Sequence, residues 1–143
     1  MKATQLIAYA VLANTLACVQ AAAEDTLKPF DTDGCSEFPD GTLQQQTLWQ
    51  DCCVEHDKAY WLGGSRAARQ QADEALEACV AAIGQPEIAA IMLAGVRVGG
   101  SPYWLTRYRW GYGWPYWDGW KPRGYKELSD DEKRQAAALM PSE

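Results

Sequence analysis

The sequence predicts a mostly α-helical, small, disulfide-stabilised domain built around an antiparallel two-helix hairpin. Three observations lead there. Apolar residues recur at helical steps on both sides of a Gly63-Gly64 turn signal. Four cysteines remain once an N-terminal leader is set aside, an even number in an exported chain. The 143 residues suit one domain, with too little chain for two full cores.

Residues 1–23 read as a signal peptide. Lys2 makes a short positive start, Leu6 to Val19 is nearly all apolar, and Ala21-Ala22-Ala23 offers small residues for cleavage before Glu24-Asp25. The apolar run is too short to span a bilayer. A buried N-terminal helix is the other reading. A lipid anchor on Cys18 is a third, although Thr15-Leu16-Ala17 before it departs from a lipoprotein signal. Export makes the expected location secreted or periplasmic, and residues 24–143 form the expected domain.

Residues 24–42 read as a loop, with Pro29, Gly34, Pro39 and Gly41 among Asp and Ser. Residues 43–83 read as the helix hairpin. Thr42 caps the first helix, Gln45 stands in capping-box position, and Leu48, Cys52 and Tyr60 mark its buried stripe to Leu62. Gly63-Gly64 stops it. Ser65 caps a second helix over Arg66–Ile83, with Ala72, Leu76 and Val80 on its apolar face. Gly84 and Pro86 close that helix. Pro86 to Val98 is a third apolar segment, read as a core helix. Residues 99–124 are irregular and aromatic. Ser129 with Glu132 forms a capping box that opens a last helix, covering 129–140.

Charge is uneven. The net charge is −6. Glu24 to Val96 holds 13 acids against 4 bases, and Arg97 to Lys126 holds 6 bases against 1 acid. The acidic front suits a cation, and the basic stretch suits an anionic surface. An acidic mature chain counts against nucleic acid as a partner. Oligomeric state is not legible.

Four cysteines permit three pairings, and a bond between adjacent Cys52 and Cys53 is strained. Helices joined by a tight turn lie antiparallel, so facing residues keep a nearly constant position sum. Cys52 with Cys79 and His56 with Asp73 fall at nearly the same register. A Cys52–Cys79 bond would clamp the helices one turn from a His56/Asp73 pair and leave Cys35 for Cys53. Cys52, Cys53, His56 and Cys79 are also zinc-ligand types, but no CxxC spacing is present.

Cys52-Cys53-Val54-Glu55-His56-Asp57-Lys58-Ala59-Tyr60 resembles the signature of secreted phospholipases A2. The likeness continues through Gly63-Gly64, Ala72-Asp73-Glu74 and Cys79, and Asp33-Gly34-Cys35 resembles the end of that family's calcium loop. It covers roughly Asp31 to Val80. The resemblance implies a phospholipase A2-like fold and a Ca2+-dependent hydrolase of the sn-2 acyl ester of glycerophospholipids. His56 would be the general base, Asp73 would orient it, and Tyr60 would fix Asp73. Asp57 would bind calcium with loop carbonyls at Gly34, Ser36 and Phe38. The loop departs from the family pattern. Ser36-Glu37-Phe38-Pro39-Asp40-Gly41 stands where glycines are usual, which brings in Glu37 or Asp40 as side-chain donors.

Five of the seven tryptophans, Trp104, Trp110, Trp114, Trp117 and Trp120, lie in the aromatic segment with Arg107 and Arg109. Two readings stand for these rings. They dock the protein on a phospholipid membrane or aggregated lipid, with the arginines meeting anionic headgroups. Alternatively they fold over the hairpin as core. Two alternatives to the enzyme also stand: a non-enzymatic scaffold that binds membranes or a partner through the Trp/Tyr-rich segment, and a hydrolase of another lipid ester.

Overall fold

A computed structural model describes residues 25–141. The leader expected at 1–23 lies outside the described residues. Four helices and one minimal hairpin form in the order α1 Gln50–Leu62, α2 Arg66–Ala82, α3 Pro86–Gly99, β1 Trp117–Asp118, β2 Lys121–Pro122 and α4 Asp130–Leu139. The protein is thus a small, mostly helical domain carrying two disulfides. No helix among the described residues is long and apolar enough to cross a membrane.

The caps act much as their chemistry dictates. The Ser65 hydroxyl accepts from the Ala68 N–H and starts α2. Ser129 and Glu132 exchange both bonds of a capping box at α4. Pro86 occupies the first turn of α3, where its missing N–H costs nothing.

The first helix is shorter than expected. Thr42 does accept from the Gln45 N–H at 3.0 Å, but the bond closes a turn, and α1 begins eight residues later. The reason lies in Trp49, which is 3% exposed. Its indole donates to the Pro39 carbonyl at 2.6 Å and its backbone N–H to the Asp40 carbonyl at 3.0 Å. Those two bonds hold residues 42–48 in turns over Gly41, where an added Cβ would sit 2.0 Å from the Gln45 oxygen.

Cys35 bonds Cys53, and Cys52 bonds Cys79, the pairing to which the register pointed. One core cluster gathers around these bonds, with Trp49, Leu76, Val80, Ala89 and Met92. It joins α1, α2 and α3, with α2 packed against both of the others. A second cluster holds Leu27, Trp61, Trp114 and Ala136, and brings the N-terminal segment, the hairpin turn and α4 together. Arg123 fastens this end. It donates to Asp25 and Glu132, both at 2.8 Å, and lies over the Trp114 ring.

The aromatic segment wraps the Gly-Gly turn. Trp110 donates to the Gly64 carbonyl at 2.9 Å, and Trp114 to the Leu62 carbonyl at 2.8 Å. Gly63 lies at φ +71, and a Cβ there would meet the Gly111 Cα at 2.7 Å, so both the conformation and the approach require glycine. Trp110 and Trp114, at 2% and 1% exposure, are core residues and cannot present their rings to a membrane. Arg109 is buried as well. Its guanidinium donates to the carbonyls of Trp110, Gly111 and Trp114. These three depart from the membrane reading because a buried indole N–H or guanidinium needs acceptors, and the turns supply them. Trp104, Trp117, Trp120 and Arg107 stay exposed. Arg107 pairs with Asp33 at 2.7 Å.

Candidate active site

The site begins with helix periodicity. Cys52, His56 and Tyr60 stand at four-residue steps and are all buried on one face of α1. Arg69, Asp73, Leu76 and Val80 form the buried face of α2. The Cys52–Cys79 bond and the Gly-Gly turn set these faces against each other. His56 then meets Asp73, with Nε2 and Oδ1 3.0 Å apart. Asp73 is fully buried and His56 is 8% exposed.

A carboxylate oxygen only accepts, so the proton of a neutral His56 sits on Nε2, facing Asp73. Nδ1 is left with its lone pair and bonds no protein group among the described residues. The same Asp73 oxygen accepts from the Tyr60 hydroxyl at 2.7 Å. Tyr60 also stacks on the imidazole, with ring centroids 4.2 Å apart. Burial raises the Tyr60 phenol well above its ordinary range, so it stays a donor. Gly100 makes room for this hydroxyl, since a Cβ there would sit 2.3 Å from it.

Two arginines complete the cluster, and neither was read from the sequence. Arg69 donates to the Tyr60 hydroxyl at 3.0 Å, to the Tyr125 hydroxyl at 2.7 Å, and to the Val96 and Arg97 carbonyls at 2.8 and 2.9 Å. Arg97 reaches Asp73 Oδ2 at 2.9 Å from α3. The only advance signal was Arg69 itself, a basic residue four positions before Asp73 on the face that carries Leu76 and Val80.

His56 faces an apolar cavity of about 270 Å³. Leu76, Ile91, Met92, Gly95 and Gly99 line it, with Phe38 on the loop side. A second cavity of about 340 Å³ shares Ser36, Asp57 and Tyr108 with the first, and is lined also by Lys28, Arg107 and Arg109. Asp57 therefore borders both cavities.

Asp57 accepts one hydrogen bond, from the Thr32 hydroxyl at 2.7 Å. No lysine or arginine among the described residues forms an ion pair with it. Burial pushes its carboxyl up to about 7; the Thr32 bond works against this, and the negative charges of Asp33, Asp31 and Asp40 add to it. Asp57 is thus a half-buried acid near Asp31, Asp33 and Asp40 with no ion pair of its own, while Arg107 pairs with Asp33.

Calcium asks for roughly six to eight oxygens. Among the described residues no three His, Cys, Asp or Glu side chains gather as a metal site. Asp57 would thus be the principal side-chain donor, with backbone carbonyls and water supplying the rest. Asp40 is committed elsewhere. Its Oδ1 accepts from the Cys35 N–H at 2.7 Å, and its Oδ2 from Gln50 at 3.0 Å. Both of its oxygens thus help to shape the loop, and each keeps one further acceptor position. Gly34, at φ +76, lets Asp40 approach, since a Cβ there would lie 2.3 Å from Oδ1. Ser36 donates to Asp33 at 2.6 Å, and the Phe38 ring packs on the core cluster. Their carbonyls remain candidate donors, and the oxygens around Asp57 are of the type a hard cation takes, although Asp33 is already paired with Arg107.

No protein-family model, curated protein or solved structure matches the chain.

Proposed function

We propose that the protein is a calcium-dependent hydrolase of the sn-2 acyl ester of glycerophospholipids, built on a phospholipase A2-like hairpin and exported by its leader. One observation carries this reading. The sole histidine of the chain pairs through Nε2 with a fully buried carboxylate, and the same residue lines an apolar cavity beside Asp57.

The chemistry follows from these groups. Nδ1 of His56 takes a proton from a water molecule, and the water oxygen bonds to the acyl carbon. The bond from that carbon to the glycerol oxygen then breaks, and the imidazolium returns the proton to the leaving oxygen. Asp73 keeps the ring in the tautomer with Nδ1 bare and stabilises the imidazolium that forms. Tyr60 holds the carboxylate in place. The apolar cavity takes the acyl chain and excludes water from it. A calcium ion would be held by Asp57 with carbonyls near Gly34, Ser36 and Phe38, and supplies Lewis-acid polarisation of the ester carbonyl when bound.

Exposed Trp104, Leu105, Trp117 and Trp120 favour contact with a lipid surface. They also suit the second reading, a scaffold that binds membranes without turnover. Fatty-acid release from phospholipid vesicles separates the two. The oxidised protein should release fatty acid with millimolar calcium, and chelation should stop it. Vesicle binding without any release at millimolar calcium would establish the scaffold instead.

A further inference from the structure

Asp73 Oδ1 serves both His56 and Tyr60, whereas Oδ2 is buried and has no aligned hydrogen bond. A buried carboxylate oxygen in that state is costly unless charge compensates it. The compensation comes from two guanidiniums, Arg97 Nε at 2.9 Å and Arg69 Nε at 3.9 Å. Arg97 is itself pinned across α2, donating to the Gln70 carbonyl and to Glu74, both at 3.3 Å. Arg69 is buried and tied to the last turn of α3 through the Val96 and Arg97 carbonyls. The groups facing Asp73 are therefore His56 and Tyr60 from α1, Arg69 from its own helix, and Arg97 from α3.

We propose that Arg97, braced by Arg69, is a positioning residue for the His56–Asp73 pair. It anchors the far oxygen of Asp73, so the near oxygen stays on His56 Nε2 and the ring turns Nδ1 to the cavity. α3 thereby becomes part of the machinery: the helix that walls the cavity also aims the base. This inference rests on the hydrolase reading given above.

The test uses the full oxidised protein with Arg97→Gln and Arg97→Lys. Arg69 still faces Asp73 in both variants, so both should fold, Arg97→Gln with some loss of thermal stability. Arg97→Gln is expected to lower kcat on the order of tenfold to a hundredfold, the cost of a misaimed catalytic group. KM should stay within about twofold, because no substrate contact is lost. Arg97→Lys should recover most of kcat by restoring the charge. Nitrogen-15 spectra of the single histidine give a second readout that needs no turnover. The wild type should show one tautomer, protonated at Nε2, and Arg97→Gln a mixture. Unchanged kcat, or a fall in kcat and thermal stability with a raised KM that lysine does not relieve, overturns the proposal. If the wild type turns over no ester, the hydrolase reading fails. The spectra then decide the positioning role alone, and an identical single tautomer in wild type and Arg97→Gln rejects it.

Discussion

Asp57→Asn offers the sharpest physical prediction. The substitution removes a charge and keeps an oxygen for the Thr32 hydroxyl. The Asp57 carboxyl rises from an ordinary aspartate value near 3.8 to about 7, because burial and then the acids around it disfavour ionisation. At about 1.4 kcal/mol per tenfold change, that difference is about 4 kcal/mol. Water reaching the open side of a half-buried carboxylate screens the effect, leaving roughly 2 kcal/mol. The sign follows from proton binding. Between pH 4 and pH 7 the folded state holds the proton more tightly than the unfolded chain. Asp57 therefore makes the metal-free protein lose stability as pH rises through that window. Thermal unfolding in chelator should find Asp57→Asn more stable than wild type at pH 8, by roughly 8 °C. The advantage should vanish by about pH 3, below both the folded and the unfolded value, where both states carry the proton. Millimolar calcium should raise the wild-type midpoint and leave the variant unmoved. Equal stability of the two at pH 8 would refute the electrostatic reasoning, and an equal response to calcium would refute the ligand assignment.

Other consequences are as direct. Trp114→Ala should destabilise by about 3–5 kcal/mol in urea unfolding, whereas Trp120→Ala, at an 89% exposed site, should leave stability unchanged and weaken vesicle binding. Gly95 sits inside α3 where an added Cβ meets nothing within 4 Å, so Gly95→Ala should stabilise by up to about 1 kcal/mol through helix propensity. Gly95→Leu should fill the cavity and suppress long-chain hydrolysis more than that of a short soluble ester; equal losses would mean the cavity holds no chain. Glu132 is held below the ordinary glutamate range: burial opposes this, but bonds from the Ser129 backbone and Arg123 prevail. Its stabilising contribution is thus present at neutral pH and lost on acidification below about pH 4, and Glu132→Gln should flatten that acid limb in denaturant titrations.

The helices were legible because their signals are local, and the disulfides because register across one short turn sets Cys52 beside Cys79. A serine before a helix, a glycine pair after one, and a proline at a first turn act within one or two turns of chain. The His56–Asp73 contact was also legible, since one short turn makes register arithmetic reliable. The start of α1 was not. Thr42 and Gln45 form the bond of a capping box in a turn as well as in a helix, and the choice was made by Trp49, whose partners are in the preceding loop. Trp110 and Trp114 were ambiguous in kind. An indole suits a membrane interface and a core that supplies a carbonyl equally well, and only the fold shows that Gly64 and Leu62 supply them. Arg97 was beyond sequence reasoning, because its contact with Asp73 depends on how α3 lies against α2. The loop before α1 stayed half-legible. Asp40 stood as an expected side-chain donor, and its bonds to the Cys35 N–H and to Gln50, which shape the loop, needed the fold to be seen.

As general base, His56 would deliver water to one particular ester, the sn-2 acyl bond. A phospholipid carrying different labels on its two acyl chains tests it most directly, presented in vesicles with calcium to wild type and to His56→Gln. The wild type should release the sn-2 chain alone, and His56→Gln should release neither. Release of both chains, or sn-2 release that survives His56→Gln, would contradict the role assigned to His56.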